Sequence, residues 1–322
     1  MLLPAHEFVK PASLAEGLAV LARAGATARL MGGGTDVVFN MRNRLFQPAV
    51  LLSLRDLPEL QGVAERGDGW LRLGGACRLT DLAAHAGIGA RYPALTAAFK
   101  AVASTHVRNM ATLAGNLNLD TRCWYANQTQ EWRAAKGGCL KTDKPVCHVI
   151  HTATTCVAIN NADTPPALIA LDATVTLASL GGTRTLPLAE YYRADGVRHT
   201  VRRADEILVE VLVPPTSDHC LFVKDTARQG IDFAYGVIAA RRSAGGAVRL
   251  VLGSFGPAPI VLGRAAEIAT RQGLGDAAID AAADAAREDL GVVSNLYTPA
   301  AYKRDLAKAL VRRALCELRA AG

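Results

Sequence analysis

The sequence predicts an α+β fold in three consecutive parts, and three observations lead to that prediction. The length of 322 residues exceeds what one hydrophobic core usually organises. Short apolar strand patterns alternate with helical patterns as far as the pair Pro214-Pro215, which punctuates the chain. After Cys220 the pattern changes to strands followed by long helical stretches. We therefore place the parts at residues 1–55, 56–215 and 216–322.

In the first part, Ser13 with Glu16 three residues later is a capping box, so a helix is expected to begin there. A short apolar strand is predicted at 28–31. It ends at a glycine run that leads into a helical turn, and a second buried strand follows at 49–54.

In the second part, alternation predicts a strand at 70–74, and helical signals predict helices at 79–85 and 93–103. Stretches rich in Ile, Leu and Val predict strands at 167–177 and 206–213. The third part is predicted to hold a small antiparallel sheet with helices. Its expected strands are 221–224, 235–242 and 248–255, and its expected helices are 261–272, 276–290 and 298–321, the last opened by Thr298 and Pro299.

Composition and charge argue against some classes of function. The net charge is +7, but the basic residues are dispersed and aromatic residues are only 5% of the chain, which argues against a nucleic-acid surface. An anionic cofactor or an acidic partner explains the charge more simply. No apolar run reaches the roughly 20 residues that span a bilayer, and the N-terminus has no secretory signal. A cytoplasmic protein that binds no membrane is therefore expected.

The glycine run Gly32-Gly33-Gly34, followed by Thr35 and Asp36, comes directly after a predicted strand. Successive glycines let backbone N–H groups converge on an anion such as a phosphate or pyrophosphate. The run lacks the Gly-Lys-Ser/Thr of a P-loop and the spacing of a dinucleotide-binding Rossmann unit. Taken alone, it is equally typical of a tight turn.

Four of the seven cysteines lie within 34 residues, spaced C-x15-C-x7-C-x8-C; they are Cys123, Cys139, Cys147 and Cys156. In a reducing compartment, clustered thiols indicate metal ligands before disulfides. Soft thiolates suit an iron–sulfur cluster, and the nearby His148 and His151 leave zinc as the alternative. The other three, Cys77, Cys220 and Cys316, are expected to be packing residues.

A second turn, Val107–Asn116, occurs in combination with the stretch Leu30–Asp36. Together with Lys224, Arg228 and the C-terminal stretch 302–313, these residues resemble the flavin subunits of the molybdenum hydroxylases, the family of xanthine dehydrogenase and carbon monoxide dehydrogenase. The resemblance covers essentially the whole chain except the cysteine segment.

This resemblance implies a two-subdomain FAD-binding fold of the vanillyl-alcohol-oxidase-like type, with a C-terminal α+β domain beside it. It also implies which residues bind FAD. The pyrophosphate would be held by the first turn, which consists of Leu30, Met31, Gly32, Gly33, Gly34, Thr35 and Asp36. Thr112 and Asn116 in the second turn would bind the phosphates or the ribityl chain. Asp163 would contact the adenosine half, and Leu208 and Lys224 would lie by the flavin ring.

The segment 118–161 stands where most such subunits have a short link. The 4-hydroxybenzoyl-CoA reductases are the members known for an insertion here, and theirs binds a [4Fe-4S] cluster. The resemblance thus implies their flavin subunit, which passes electrons from ferredoxin through [4Fe-4S] and FAD toward [2Fe-2S] clusters and molybdenum. The implied partners are a molybdopterin large subunit and a [2Fe-2S] small subunit, two copies of each chain, and the substrate would react on the large one.

Side chains in the segment fit a cluster. Trp124, Tyr125 and Trp132 are expected to shield it from water, and Lys136, Lys141 and Lys144 are expected to offset its negative charge. Two alternatives remain: an oxidative relative acting on an aldehyde, a purine or carbon monoxide with zinc in the segment, and a nucleotide-binding assembly module whose zinc loop cements an interface.

Overall fold

A computed structural model describes residues 2–228, 230–296 and 298–321. The chain opens with a small parallel sheet in the order β1-β3-β2. The Ser13 hydroxyl accepts a hydrogen bond from the Glu16 backbone N–H, so the first helix begins where the capping box predicted. The elements are β1 (Glu7–Val9), α1 (Leu14–Ala24), β2 (Ala28–Met31), α2 (Val37–Arg42) and β3 (Val50–Ser53), with a 3-10 turn at Gly25–Thr27.

A five-stranded antiparallel sheet follows, in the order β4-β5-β8-β6-β7, with its helices packed on one core. Its strands are β4 (Val63–Glu65), β5 (Leu71–Gly74), β6 (Thr174–Ser179), β7 (Gly182–Pro187) and β8 (Ile207–Val213). The helices between them are α3 (Leu79–Ala84), α4 (Ala86–Arg91), α5 (Pro93–Ala101), α6 (Thr105–Arg108), α7 (Leu113–Leu117), α8 (Gln130–Ala135), α9 (Thr164–Ala170) and α10 (Leu188–Tyr191), with 3-10 turns at Pro58–Leu60 and Leu140–Thr142.

The prediction of one strand over 167–177 is wrong, because the helix α9 occupies its first half. Pro165 and Pro166 lie in the first turn of α9, where proline favours helix initiation. Every residue of α9 is buried, so no amphipathic period marks it in the sequence. The chain then turns at Asp172, whose φ is +56°, before β6 begins.

The last part is a four-stranded antiparallel sheet in the order β12-β11-β10-β9, covered by three helices as predicted. Ile238 and Leu250 of this sheet pack in one core with Leu310 and Leu315 of the last helix. Among the described residues, no helix combines the length and the apolar character needed to cross a bilayer. The elements are β9 (His219–Asp225), β10 (Gly236–Arg242), β11 (Val248–Gly253), β12 (Ile260–Val261), α11 (Gly263–Gln272), α12 (Asp276–Asp289) and α13 (Ala300–Ala321).

The parts are joined by shared packing. Leu168 of α9 belongs to the same core as Ala239 and Val251 of the last sheet. Ile207 of β8 packs with Leu18 and Leu52 of the first part. The predicted α+β class, with two flavin-type subdomains and a C-terminal α+β domain, is confirmed.

Candidate functional site

The two glycine-containing turns lie against each other. A Cβ atom added at Gly33 would overlap the Met110 carbonyl oxygen, and one added at Gly32 would overlap the Thr112 hydroxyl. Gly34 has φ +76°, a conformation that favours glycine. The glycines are therefore required by close backbone approach as well as by the turn.

The two turns form part of the wall of a cavity of about 540 Å³, a size typical of cofactor sites. The side chain of Leu208 on β8 and the carboxyl of Asp163 at the start of α9 complete this wall. All the predicted FAD-binding residues line the cavity except Lys224: Leu30, Met31, Gly32, Gly33, Gly34, Thr35, Asp36, Thr112, Asn116, Asp163 and Leu208.

Lys224 instead lies behind the wall. Its Nζ atom is 2.9 Å from Asp163 Oδ2 and donates a second hydrogen bond, also 2.9 Å, to the Ala101 carbonyl oxygen. The two side chains are thus in direct contact with each other. That Asp163 meets the adenosine half of FAD and Lys224 the flavin ring stays a prediction.

Several buried polar atoms of the cavity wall have no hydrogen-bond partner among the described residues. They are Asp120 Oδ2, Arg122 Nε, Asp163 Oδ1 and His199 Nε2. An unsatisfied buried polar group costs about 1–3 kcal/mol, so several in one wall point to a polar ligand there. Burial lowers the pKa of His199 to about 4, so its ring is neutral at neutral pH.

The four cysteines of the segment line one small cavity, together with Tyr125, Lys141 and His148. Cys139, Cys147 and Cys156 are buried, and all four are free thiols. The structure brings the four cysteines to one place, and that they are metal ligands stays a prediction. Of the three aromatic residues predicted to shield this place, Tyr125 lines the cavity, whereas Trp124 and Trp132 do not, and Trp124 is 45% exposed.

The two cavities are neighbours. Arg122 lines the larger one and Cys123, the next residue, lines the smaller one. The Nζ atom of Lys141, in the cysteine cavity, is 2.9 Å from Oδ1 of Asp120, in the wall of the larger cavity. The guanidinium of Arg122 forms a further ion pair with the Asp36 carboxylate that follows the glycine run. The cysteine segment is thus built onto the large cavity.

Comparison with known proteins shows which family the chain belongs to. Residues 4–216 match the model of the FAD binding domain in molybdopterin dehydrogenase, and residues 222–318 match the CO dehydrogenase flavoprotein C-terminal domain. The chain belongs to the flavin-subunit family of the molybdenum hydroxylases. The aldehyde oxidoreductase FAD-binding subunit PaoB of Escherichia coli is 31% identical over 303 residues, which are 91% of this chain and 92% of that protein.

Other members of the family agree along nearly the whole length. The carbon monoxide dehydrogenase medium chain of Hydrogenophaga pseudoflava is 28% identical over 98% of this chain and 97% of its own. A solved structure of that organism's carbon monoxide dehydrogenase superposes with a TM-score of 0.82 at 26% identity, covering 99% of both chains. The quinoline 2-oxidoreductase of Pseudomonas putida 86, at 24% identity and a TM-score of 0.82, shares the fold.

FAD is the cofactor of this family, and the large cavity fits it. The glycine run lines this cavity, and successive glycines let backbone N–H groups converge on a pyrophosphate. The unpartnered wall atoms offer acceptors and donors to a polar ligand. Burial raises the pKa of Asp36, and the neighbouring Arg122 guanidinium opposes that rise.

The cysteine cavity of this flavin subunit offers four free thiols and one histidine as candidate metal ligands. Thiolates on one zinc ion would lie about 3.8 Å apart, given a zinc–sulfur distance of about 2.3 Å. Within the described residues, no three His, Cys, Asp or Glu side chains are arranged to hold one metal ion. His148 lines the cavity, but its Nε2 atom is hydrogen-bonded to the Gly138 carbonyl oxygen at 2.8 Å, and His151 is exposed.

Burial affects the protonation of two of these thiols. It raises the pKa of Cys123 and raises the pKa of Cys156 to about 11. Without a cation both are therefore neutral thiols at neutral pH. A metal centre would have to displace their protons, which couples its binding to pH.

Several wall residues escaped the sequence analysis. Arg29 lies 4.1 Å from the Phe46 ring centroid, and both line the FAD cavity with His199, Arg202 and Phe233. They come from separate segments and belong to no motif. For Asp120 and Arg122 the sequence offered one signal of a role in the site, namely their position between the second turn and the first cysteine.

Proposed function

We propose that this chain is an electron-transfer subunit that holds FAD in its large cavity and a [4Fe-4S] cluster in its cysteine cavity. One observation carries the proposal: four cysteines spread over 34 residues line one cavity, and an ion pair between Lys141 and Asp120 connects its lining to that of the FAD cavity. When bound, both groups would supply one-electron chemistry.

The residues proposed to hold FAD divide by chemistry. Backbone N–H groups of Gly32, Gly33 and Gly34 are proposed to bind the pyrophosphate, because these glycines line the cavity and the Thr112 turn lies directly against them. Asn116 is a less simple case, because its Oδ1 atom already accepts a 2.7 Å hydrogen bond from the Thr164 hydroxyl. Its amide nitrogen is therefore the group proposed to face the cofactor.

The ligands proposed for the cluster are Cys123, Cys139, Cys147 and Cys156. The turn around Cys139 is preorganised, because its backbone N–H donates to the Thr142 hydroxyl at 2.7 Å. At Cys147 the thiol accepts a 3.4 Å hydrogen bond from the Ile150 backbone N–H, of the kind that stabilises cluster sulfur. Tyr125 excludes water from one side of this cavity.

The partners are proposed from the relatives, several of which are named as subunits or medium chains of complexes. We propose that a molybdopterin large subunit and a [2Fe-2S] small subunit complete the enzyme, with two copies of each chain. The reaction supported best is oxidation of an aldehyde, because the aldehyde oxidoreductase subunit is 31% identical over 91% of this chain. The substrate would then react on the large subunit.

A second candidate is reductive dehydroxylation of 4-hydroxybenzoyl-CoA with electrons from ferredoxin. Only the four-cysteine segment favours it, since a low-potential centre on the donor side suits a strongly reducing reaction. The two candidates predict opposite directions of electron flow through the same residues.

Metal and sulfide analysis tests the proposal. About four irons and four acid-labile sulfides per FAD are expected in the pure chain. Zinc without iron, in protein prepared without oxygen, would overturn it. In the whole complex, an aldehyde should bleach the flavin absorbance anaerobically; if 4-hydroxybenzoyl-CoA reoxidises the reduced complex instead, the reductase is the correct assignment.

A further inference from the structure

Lys141 is the buried lysine of the cysteine segment. Its side chain is 4% exposed, whereas Lys136 and Lys144 are exposed. The sequence treated the three lysines alike, as charges around a cluster. The structure separates them, because Lys141 alone among the three lines the cysteine cavity.

The ammonium group of Lys141 is held from several sides. It donates to Asp120 Oδ1 at 2.9 Å, to the Thr121 carbonyl oxygen at 2.9 Å and hydroxyl at 2.6 Å, and to the Gly196 carbonyl oxygen at 3.1 Å. These acceptors fix the position of the charge. A buried charge with such partners is screened little by solvent, so it acts at a constant distance on whatever the cavity holds.

The charge of Lys141 also reaches both cavities. It acts on the Cys156 thiol on one side and on Asp36 and His199 on the other. Asp120, its ion-pair partner, is buried in the wall of the FAD cavity with Oδ2 unpartnered among the described residues. The pair Lys141–Asp120 is thus a polar link between the linings of the two cavities.

We propose that Lys141 is a positioning residue that sets the reduction potential of the cysteine-ligated centre and, through Asp120, couples it to the flavin. One-electron reduction at the cavity adds one negative charge and breaks no bond, and the fixed ammonium stabilises that charge. In its absence the centre is harder to reduce, and the Asp120 carboxylate, left without its cation, makes the flavin harder to reduce as well. This inference rests on the proposed function.

The test is a redox titration of the anaerobically purified chain, following the cluster by electron paramagnetic resonance and the flavin by absorbance. Lys141→Met is expected to lower the reduced-to-oxidised ratio of the cluster at a fixed potential about tenfold, which is about 59 mV for a one-electron couple. The flavin potential should fall with it. Lys141→Arg, which keeps the charge, should restore most of the shift, and the exposed Lys144→Met should leave both potentials unchanged.

An unchanged cluster potential in an iron-replete Lys141→Met variant would overturn the inference. If that variant loses its iron, Asp120→Asn decides, because removing the opposite charge should raise the cluster potential; no rise there overturns the inference. A wild-type chain that contains zinc and no iron is a different result: it rejects the proposed function. The flavin potential of Lys141→Met then still tests the coupling through Asp120, and an unchanged value rejects it.

Discussion

Lys224 and Asp163, 61 residues apart in the chain, form a buried ion pair of 2.9 Å at the back of the FAD cavity. The pair joins β9 of the C-terminal sheet to the start of α9. Their side chains are only 12% and 6% exposed. Burial raises the pKa of Asp163 to about 6, and Lys224 opposes that rise. The positive charge of Lys224 therefore acts directly on the Asp163 carboxylate.

Removing the lysine should be costly for stability. Lys224→Met leaves the Asp163 carboxylate buried without its cation, which typically destabilises a protein by about 3–5 kcal/mol. Urea unfolding of the FAD-free chain measures the change. The matched control is Arg287→Met, which breaks the exposed pair with Asp305 and should cost less than about 1 kcal/mol. Equal effects of the two variants would show that the buried pair has no special role.

Because the two glycine-containing turns approach each other closely, one methyl group added at Gly33 should disturb the FAD site. Gly33→Ala places a Cβ on the Met110 carbonyl oxygen, so the turns must separate and the pyrophosphate site is distorted. Overpacking of this kind costs roughly 1–3 kcal/mol, and FAD content per chain should drop sharply. Gly67→Ala is the control, because nothing lies within 4 Å of the added atom. Normal FAD content in Gly33→Ala would contradict the proposed placement of the cofactor.

Features that depend on residues close together in the chain were predicted well from the sequence. The capping box at Ser13 and the glycine run are of this kind, and the four cysteines were noticed because they lie within 34 residues. Contacts between distant segments were missed, as for Lys224, whose partner lies in another part of the fold. His199 likewise enters the FAD cavity from a loop without a motif.

Burial of His199 predicts a pH dependence. Its pKa falls from the ordinary 6.5 to about 4 in the folded chain, so the unfolded chain binds the proton more readily between these values. The free energy of unfolding is therefore unaffected by His199 above pH 6.5, and it decreases as the pH falls from 6.5 toward 4. Asp163, with its raised pKa, contributes the opposite slope below pH 6, so the wild type alone does not isolate the effect.

A difference measurement does isolate it. The free energy of unfolding of the FAD-free wild type, minus that of His199→Gln, should decrease steadily from pH 6.5 to 4. His219→Gln, which alters an exposed histidine of β9, should give a flat difference. A flat difference for His199→Gln too would mean that this ring is solvated or charged in the folded chain.

Loss of one ligand should separate the two cofactor sites. Cys139 lines the cysteine cavity and is absent from the wall of the FAD cavity. Cys139→Ser should therefore abolish the four-iron signal and leave FAD bound at about one per chain. Two residues of the segment that line the FAD cavity, Asp120 and Arg122, are held by Lys141 and Asp36, so we expect them to keep their positions without the thiolate.

The control for this variant is Cys316→Ser on α13, which lines neither cavity and should keep its full iron content. Iron per FAD, measured with the electron paramagnetic resonance signal of the reduced chain, distinguishes the two. A complete four-iron signal in Cys139→Ser would remove Cys139 from the ligand set. Joint loss of iron and FAD would show that the cysteine segment also builds the flavin site, since a cluster held independently cannot carry FAD away with it.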